Sequence, residues 1–261
     1  MRTLAGQPIA ARTALVSAAL MTRGQTEFRP RNGIITGAGS GIGRAVALAL
    51  AGTGALVHLV GRTREKLDRV AGEVAANGGR AKTHTLDVAD DRTIAELVTG
   101  FEELDVLIHS AGIYRRGPLA EAPAEDFDQQ FAVNVRAPFI LTQRLIPALR
   151  RASGQVVFIN SSAGRRTSPQ VGLYSASKFA LRALADALRA EENEQRIRVI
   201  SVYPGRTATP MQEHVHQLEN RPYRPGRLLQ PEDVADSILA ALALPPTAEV
   251  TDVSLRPFEK P

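Results

Sequence analysis

The chain of 261 residues predicts an α/β domain, a doubly wound parallel sheet of about seven strands with helices on both faces. Three observations predict it. Apolar runs of strand length alternate with helical patterns from Gly33 to His109, and the pattern resumes at Val156–Ile159. A glycine turn, Gly37-Ala38-Gly39-Ser40-Gly41-Ile42-Gly43, stands between the first strand signal and the first helix. No long period recurs, which excludes a repeat architecture.

Composition narrows the class. A hydrophobic content of 44% suffices for a sizeable core. There is no cysteine, so disulfides and cysteine metal sites are excluded, and the expected location is a reducing cytoplasm. No apolar run approaches the ~18 residues that would span a membrane. The net charge of +5 rests on scattered arginines, with lysine only at Lys66, Lys82, Lys178 and Lys260, so nucleic-acid binding is not implied.

Residues 1–30 precede the first strand. Ala14–Met21 is apolar with Arg2 and Arg12 before it, but Ser17 interrupts the run and no cleavage site follows. This stretch is expected to be a weakly ordered extension, or the product of a start site upstream of Met21. Residues 31–261 form the expected domain.

The first strand, Gly33-Ile34-Ile35, leads through Thr36 into the glycine turn and an Ala/Leu-rich helix over about Ile42–Ala51. Strand, glycine turn and helix together are the context of a dinucleotide-binding turn. The glycines let the backbone approach a pyrophosphate at the helix N-terminus. Ala55–Val60 is the second strand, followed by Gly61-Arg62-Thr63 and a polar-faced helix over Arg64–Ala76. Ala81–Asp87 is the third strand, and Asp90 or Asp91 caps a helix over about Arg92–Phe101. Asp105–His109 is the fourth strand. Glu121–Arg151 carries a long helical pattern with Asn134 in its middle, to be kinked or divided by Pro138 and Pro147.

Gln155–Leu188 concentrates the chemistry. The strand Val156–Ile159 ends beside Ser161 and Ser162, and Tyr174 and Lys178 stand four residues apart at the start of a helix, on one face. A phenol with a reference pKa near ~10 is a poor acid. A neighbouring ammonium favours the phenolate and would let it exchange a proton near neutrality. Ser161, thirteen residues before Tyr174, can hydrogen-bond the same substrate oxygen. Arg198–Tyr203 is the sixth strand, leading to Pro204-Gly205 and a polar segment, Met211–Gly226, expected to be a mobile lid. His214 and His216 within it lack a supporting carboxylate cluster and suggest a solvated lid rather than a metal site. Pro231–Leu244 is the last helix and Glu249–Arg256 the last strand.

These motifs resemble the short-chain dehydrogenase/reductase family from about Arg31 to Pro257. The resemblance is carried by Thr36-Gly37-x-x-x-Gly41-x-Gly43, Asp87, Ala111-Gly112, Asn134, Ser161, Tyr174, Lys178, and Pro204-Gly205 with Thr209. It implies a Rossmann-like single domain and an oxidoreductase that interconverts a carbonyl and an alcohol on a small substrate by hydride transfer. Tyr174 would exchange the proton, Lys178 tune it and bind ribose, Ser161 orient the substrate, and Asn134 hold a water of the proton relay. The cofactor would lie against Thr36, Gly37, Ser40, Gly41, Ile42 and Gly43, then Asp87, Val88, Ala111 and Gly112. Beyond these come Tyr174 and Lys178, with Pro204, Gly205, Thr207 and Thr209 at the nicotinamide carboxamide.

The cofactor expected is NADP(H) rather than NAD. Gly61 stands where NAD-preferring folds place a carboxylate for the ribose 2′-hydroxyl, and Arg62 with Thr63 can receive a 2′-phosphate. The chain departs from the family at His109-Ser110, where two asparagines are usual, and His109 is expected to be a partly buried strand-end histidine. It also ends in Leu255-Arg256-Pro257-Phe258 rather than a glycine-rich tail. The resemblance implies a homodimer or homotetramer. A dinucleotide-binding regulator without turnover is the alternative on the same fold.

Overall fold

The computed structural model describes residues 28–259. Seven strands form one sheet: β1 (Asn32–Thr36), β2 (Leu56–Gly61), β3 (Arg80–Thr85), β4 (Val106–His109), β5 (Gln155–Ile159), β6 (Arg198–Pro204) and β7 (Asp252–Leu255). Their order is β3-β2-β1-β4-β5-β6-β7, and every pairing is parallel. The order reverses between β1 and β4, so the crossovers run to opposite sides there. That switch point opens a crevice at the C-terminal ends of the strands.

The helices are α1 (Gly41–Ala51), α2 (Arg64–Ala76), α3 (Asp91–Val98), α4 (Ala124–Phe131), α5 (Ala137–Ala152), α6 (Gly172–Glu192), α7 (Pro210–Leu218) and α8 (Pro231–Leu242). Side chains alternate between sheet faces, so the central strands feed two cores. Ile35, Leu59, Ile108, Val157 and Val202 pack against α1, α2 and α8. Ile34, Val60, Leu107, Phe158 and Val199 pack against α3, α5 and α6.

Helix boundaries follow from local chemistry. Asp90 caps α3, its carboxylate accepting from the Arg92 backbone N–H. Pro231 opens α8, where Gln230 and Asp233 form a reciprocal capping box. The expected lid contains a regular helix, α7, capped by Thr209. The expected extension at residues 1–30 lies almost wholly outside the described residues.

The long helix expected over Glu121–Arg151 is neither single nor broken. Residues Leu119–Glu121 form a 3₁₀ turn, and α4 and α5 run together through a π turn at Ala132–Arg136. In that turn the Ala137 N–H bonds the carbonyl of Ala132, five residues back. Pro138 gives the reason. It has no N–H for the carbonyl of Asn134, and in a regular helix its ring would meet that carbonyl. The widened turn relieves the conflict, and α5 continues through Pro147.

Candidate active site

The crevice at the switch point is a cleft of about 750 Å³. One end is shaped by the glycine turn. Gly37 has φ +67°, and a Cβ there would lie 2.8 Å from the Ala111 nitrogen. A Cβ on Gly43 would lie 2.3 Å from the Gly37 carbonyl oxygen. Only bare backbone fits at both positions. Ser40, at the N-cap of α1, makes no side-chain cap, so the first N–H groups of the helix remain available to an anion. Thr36 ties the two switch-point strands together: its hydroxyl oxygen accepts from the N–H groups of Ser110 and Ala111, both at 3.1 Å. Around the corner Gly61, Arg62, Thr63 and Lys66 line the same end.

The other end is made of side chains. Ser161 follows β5, its Oγ accepts from the Ala163 N–H at 3.1 Å, and it lines the cleft together with Tyr174. Lys178 is buried one helical turn beyond Tyr174. Its Nζ donates to the Ile159 carbonyl at 3.0 Å and lies 5.8 Å from the Tyr174 ring centroid. Asn160 joins these elements: Nδ2 donates to the Lys178 carbonyl at 3.0 Å and Oδ1 accepts from the Ser161 N–H at 2.9 Å. Asn134, fully buried in the π turn, holds both backbone groups of Ile113. Oδ1 accepts from its N–H at 2.9 Å, and Nδ2 donates to its carbonyl at 3.0 Å and to Ser177 Oγ at 3.1 Å. Tyr114 packs edge-on against Tyr174, ring centroids 4.9 Å apart.

Both the sequence and the fold match known proteins. A family model described as short chain dehydrogenase matches residues 31–220. The chain belongs to the short-chain dehydrogenase/reductase family. It is 32% identical over 236 residues to sepiapterin reductase of Chlorobaculum tepidum, covering 86% of this chain and 95% of that one. It is 35% identical over 237 residues to glycine betaine reductase ATRR of Emericella nidulans, covering 87% of this chain but only 19% of that larger protein. Among solved structures, a putative short chain dehydrogenase from Escherichia coli complexed with NADPH superposes with a TM-score of 0.79 at 31% identity, covering 86% of this chain and 95% of that one.

The electrostatics of this short-chain dehydrogenase/reductase site differ from the sequence expectation. Burial pushes the Tyr174 phenol up to about 12; the Ser161 hydrogen bond lowers it and Tyr114 raises it further. The expected descent toward neutrality is absent because burial of the phenol outweighs the lowering influence beside it. Burial also brings Lys178 down to about 8.

Of the residues expected at the cofactor, Gly37, Ser40, Gly41, Ile42, Arg62, Thr63, Asp87 and Val88 line the cleft. So do Ala111, Gly112, Ser161, Tyr174, Lys178, Pro204, Gly205, Thr207 and Thr209. Thr36, Gly43 and Asn134 stand behind its wall, where they hold backbone in place. The Thr207 hydroxyl donates locally to the Gly205 carbonyl at 3.1 Å. Thr209 Oγ1 accepts from Gln212 as the cap of α7, which leaves its proton for the cleft.

Two expectations are corrected. His109 is buried entirely, not in part: it stacks on Phe158 at 4.9 Å, its Nε2 lies 2.8 Å from Thr142 Oγ1, and burial lowers it to about 3. His216 is not solvated. It is buried in α7 with Nδ1 2.8 Å from the Gln212 carbonyl. Among the described residues no cluster of three His, Asp or Glu could hold a metal ion, and no helix is long and apolar enough to cross a membrane. Asn160, Tyr114 and Lys66 were missed. Lys66 had a signal, a cation in the first turn of α2 just after Arg62 and Thr63; the other two are visible only once distant segments meet.

Proposed function

We propose that the chain is an NADP(H)-dependent oxidoreductase that interconverts a carbonyl and an alcohol on a small molecule. The observation that carries this reading is the convergence of Ser161, Tyr174 and the buried Lys178 on one wall of the cleft that the glycine turn also lines. The glycine cradle fits a dinucleotide: Gly37 and Gly43 let backbone pack directly on backbone, and the uncapped N–H groups at the start of α1 are left for a pyrophosphate. The NADPH-bound relative supports the same cofactor. When bound, that cofactor supplies the hydride.

The protein's own groups do the rest. A phenol held protonated is a donor, so at neutral pH Tyr174 is set to give its proton to the substrate oxygen as charge develops there. The Ser161 hydroxyl donates a second hydrogen bond to that oxygen. The Lys178 ammonium, still charged below about pH 8, stabilises the phenolate left behind. Asn134 fixes Ile113 and Ser177, which frame Tyr174 and Lys178. Preference for NADP rests on Gly61, Arg62 and Thr63, with Lys66 as a second cation. The exposed Phe139 and Phe179 on α5 and α6 support self-association into a dimer or tetramer.

The test is Tyr174→Phe, which removes the proton and keeps the ring. NADPH oxidation over a panel of ketones and aldehydes should fall by about 10²–10⁴-fold, while NADPH fluorescence titration stays near wild type. Turnover at the wild-type rate would refute the mechanism. NADPH binding without turnover in the wild type would favour a regulator.

A further inference from the structure

Proton transfer to a carbonyl oxygen needs no cation beyond Lys178, yet arginines gather at the same end of the cleft. Arg206, directly after Pro204-Gly205, lines it. Its Nη2 donates to Glu219 Oε1 at 2.9 Å and lies 2.8 Å from Oε2. Arg116 Nη1 donates to the same Oε1 at 2.8 Å, and its Nε donates to Gln170 at 2.9 Å. Glu219 thus fixes these two guanidiniums through Oε1 and lies 3.8 Å from Arg221 Nη1, while its buried Oε2 makes ion-pair contacts but no hydrogen bond. Arg206 Nη1 is buried and has no hydrogen-bond partner among the described residues. Arg166, five residues past Ser161, lines the cleft with an exposed side chain that no described residue engages. Arg116, Arg206 and Arg221 therefore share the Glu219 carboxylate, and Arg166 adds a further cation at the cleft.

We propose that the substrate carries a carboxylate, received by Arg206 and Arg166, so that the enzyme acts on oxo acids and hydroxy acids in preference to neutral carbonyls and alcohols. The inference rests on the oxidoreductase reading and deepens it. Glu219 holds the Arg206 guanidinium at the cleft wall, and a ligand carboxylate seated there would give it the charge-assisted bond that its buried Nη1 lacks. Away from bulk water that bond is strong, and a neutral ester leaves the charged donor poorly matched. Exposed Arg166 raises the local concentration of anions at the mouth.

4-Formylbenzoate and its methyl ester present the same aldehyde with and without the charge. Steady-state NADPH oxidation is measured with both for wild type, Arg206→Met and Arg166→Ala. Wild type should favour the acid in kcat/KM by about tenfold to a hundredfold, as expected for one hydrogen bond to a charged group. The preference should approach parity in Arg206→Met and shrink severalfold in Arg166→Ala, whose exposed site does not endanger the fold. Equal kcat/KM for acid and ester in wild type, or a full preference surviving in both variants, overturns the proposal. Calorimetric titration of benzoate against benzyl alcohol separates this from the reaction itself. Tighter benzoate binding that is lost in Arg206→Met upholds the carboxylate site even if neither aldehyde turns over. Equal binding rejects the carboxylate site while leaving the oxidoreductase reading intact.

Discussion

The glycine end of the cleft offers main-chain atoms, and the Tyr174 end offers side chains. At the first, Gly37 and Gly43 bring backbone to within 3 Å of where a Cβ would stand, and the charged groups, Arg62 and Lys66, sit at the rim. At the second, Ser161, Tyr174, Lys178 and Asn134 are held by hydrogen bonds between segments far apart in the chain, and burial displaces two of their pKa values. The difference separates two tasks. Binding a constant part of a ligand needs shape, which backbone supplies cheaply in entropy. Moving a proton needs a titratable group in a fixed dry place, which only a supported side chain supplies.

Substitutions at the two ends should therefore fail in different ways. The largest effect is expected at Lys178→Met, which keeps the apolar stem and loses the cation. Turnover should drop by about 10²–10⁴-fold. The sign of the pH dependence follows from the folded-state value. Lys178 is charged below about 8 and loses its charge as pH rises through it, so wild-type carbonyl reduction should decline above about pH 8. The residual activity of the variant should lack that limb and fall only at higher pH, toward the range of Tyr174. A limb near pH 8 that persists in Lys178→Met would assign it to another group.

Arg62→Ala should act on affinity alone. NADPH binding should weaken by about tenfold to a hundredfold, the worth of a charge-assisted hydrogen bond, with NADH nearly untouched. Gly61→Asp should go further and reverse the preference. A Cβ at Gly61 meets Leu67 Cδ2 at 3.3 Å, the end of a flexible side chain, so the fold can accommodate it. Equal weakening of both cofactors by fluorescence titration would remove Arg62 from phosphate recognition.

The smallest effect is expected at Gly43→Ala, which tests shape without charge. Its methyl would meet the Gly37 carbonyl, a backbone atom that cannot rotate away. Overpacking of this kind costs about 1–3 kcal/mol, or roughly 2–12 °C in Tm for a chain of this size. NADPH affinity should fall with it, while the pH profile of the remaining turnover stays that of wild type. A shifted profile would mean that the two ends are not separable.

The same division explains what was legible in the sequence. The strands themselves, the glycine turn and the positions of Ser161, Tyr174 and Lys178 at the cleft were readable because each rests on local spacing: apolar runs for strands, one helical turn between Tyr174 and Lys178, glycine where a Cβ cannot fit. The rest depended on distance. Tyr114 meets Tyr174, Asn160 reaches the Lys178 carbonyl, and Glu219 meets Arg116 and Arg206, all through segments that no local period links. The direction of the Tyr174 shift was likewise out of reach, because it depends on burial rather than on neighbours in sequence. His109 illustrates the same limit: its place at a strand end was clear, but not the Phe158 ring that closes over it.

The π turn at Ala132–Arg136 has a consequence for the length of the chain itself. It is a helix that has taken in one residue beyond what a regular turn holds. Beyond it runs the buried stripe of Leu141, Leu145 and Leu149. Loss of one residue there would close the wide turn to a regular one and leave α5 in phase with α4, so the leucine stripe would keep its place in the core. The cost would fall on Pro138, whose ring would meet the carbonyl four residues before it, and on Asn134, which would lose the turn that aims it at Ile113. The spare residue thus serves the cleft and not the core.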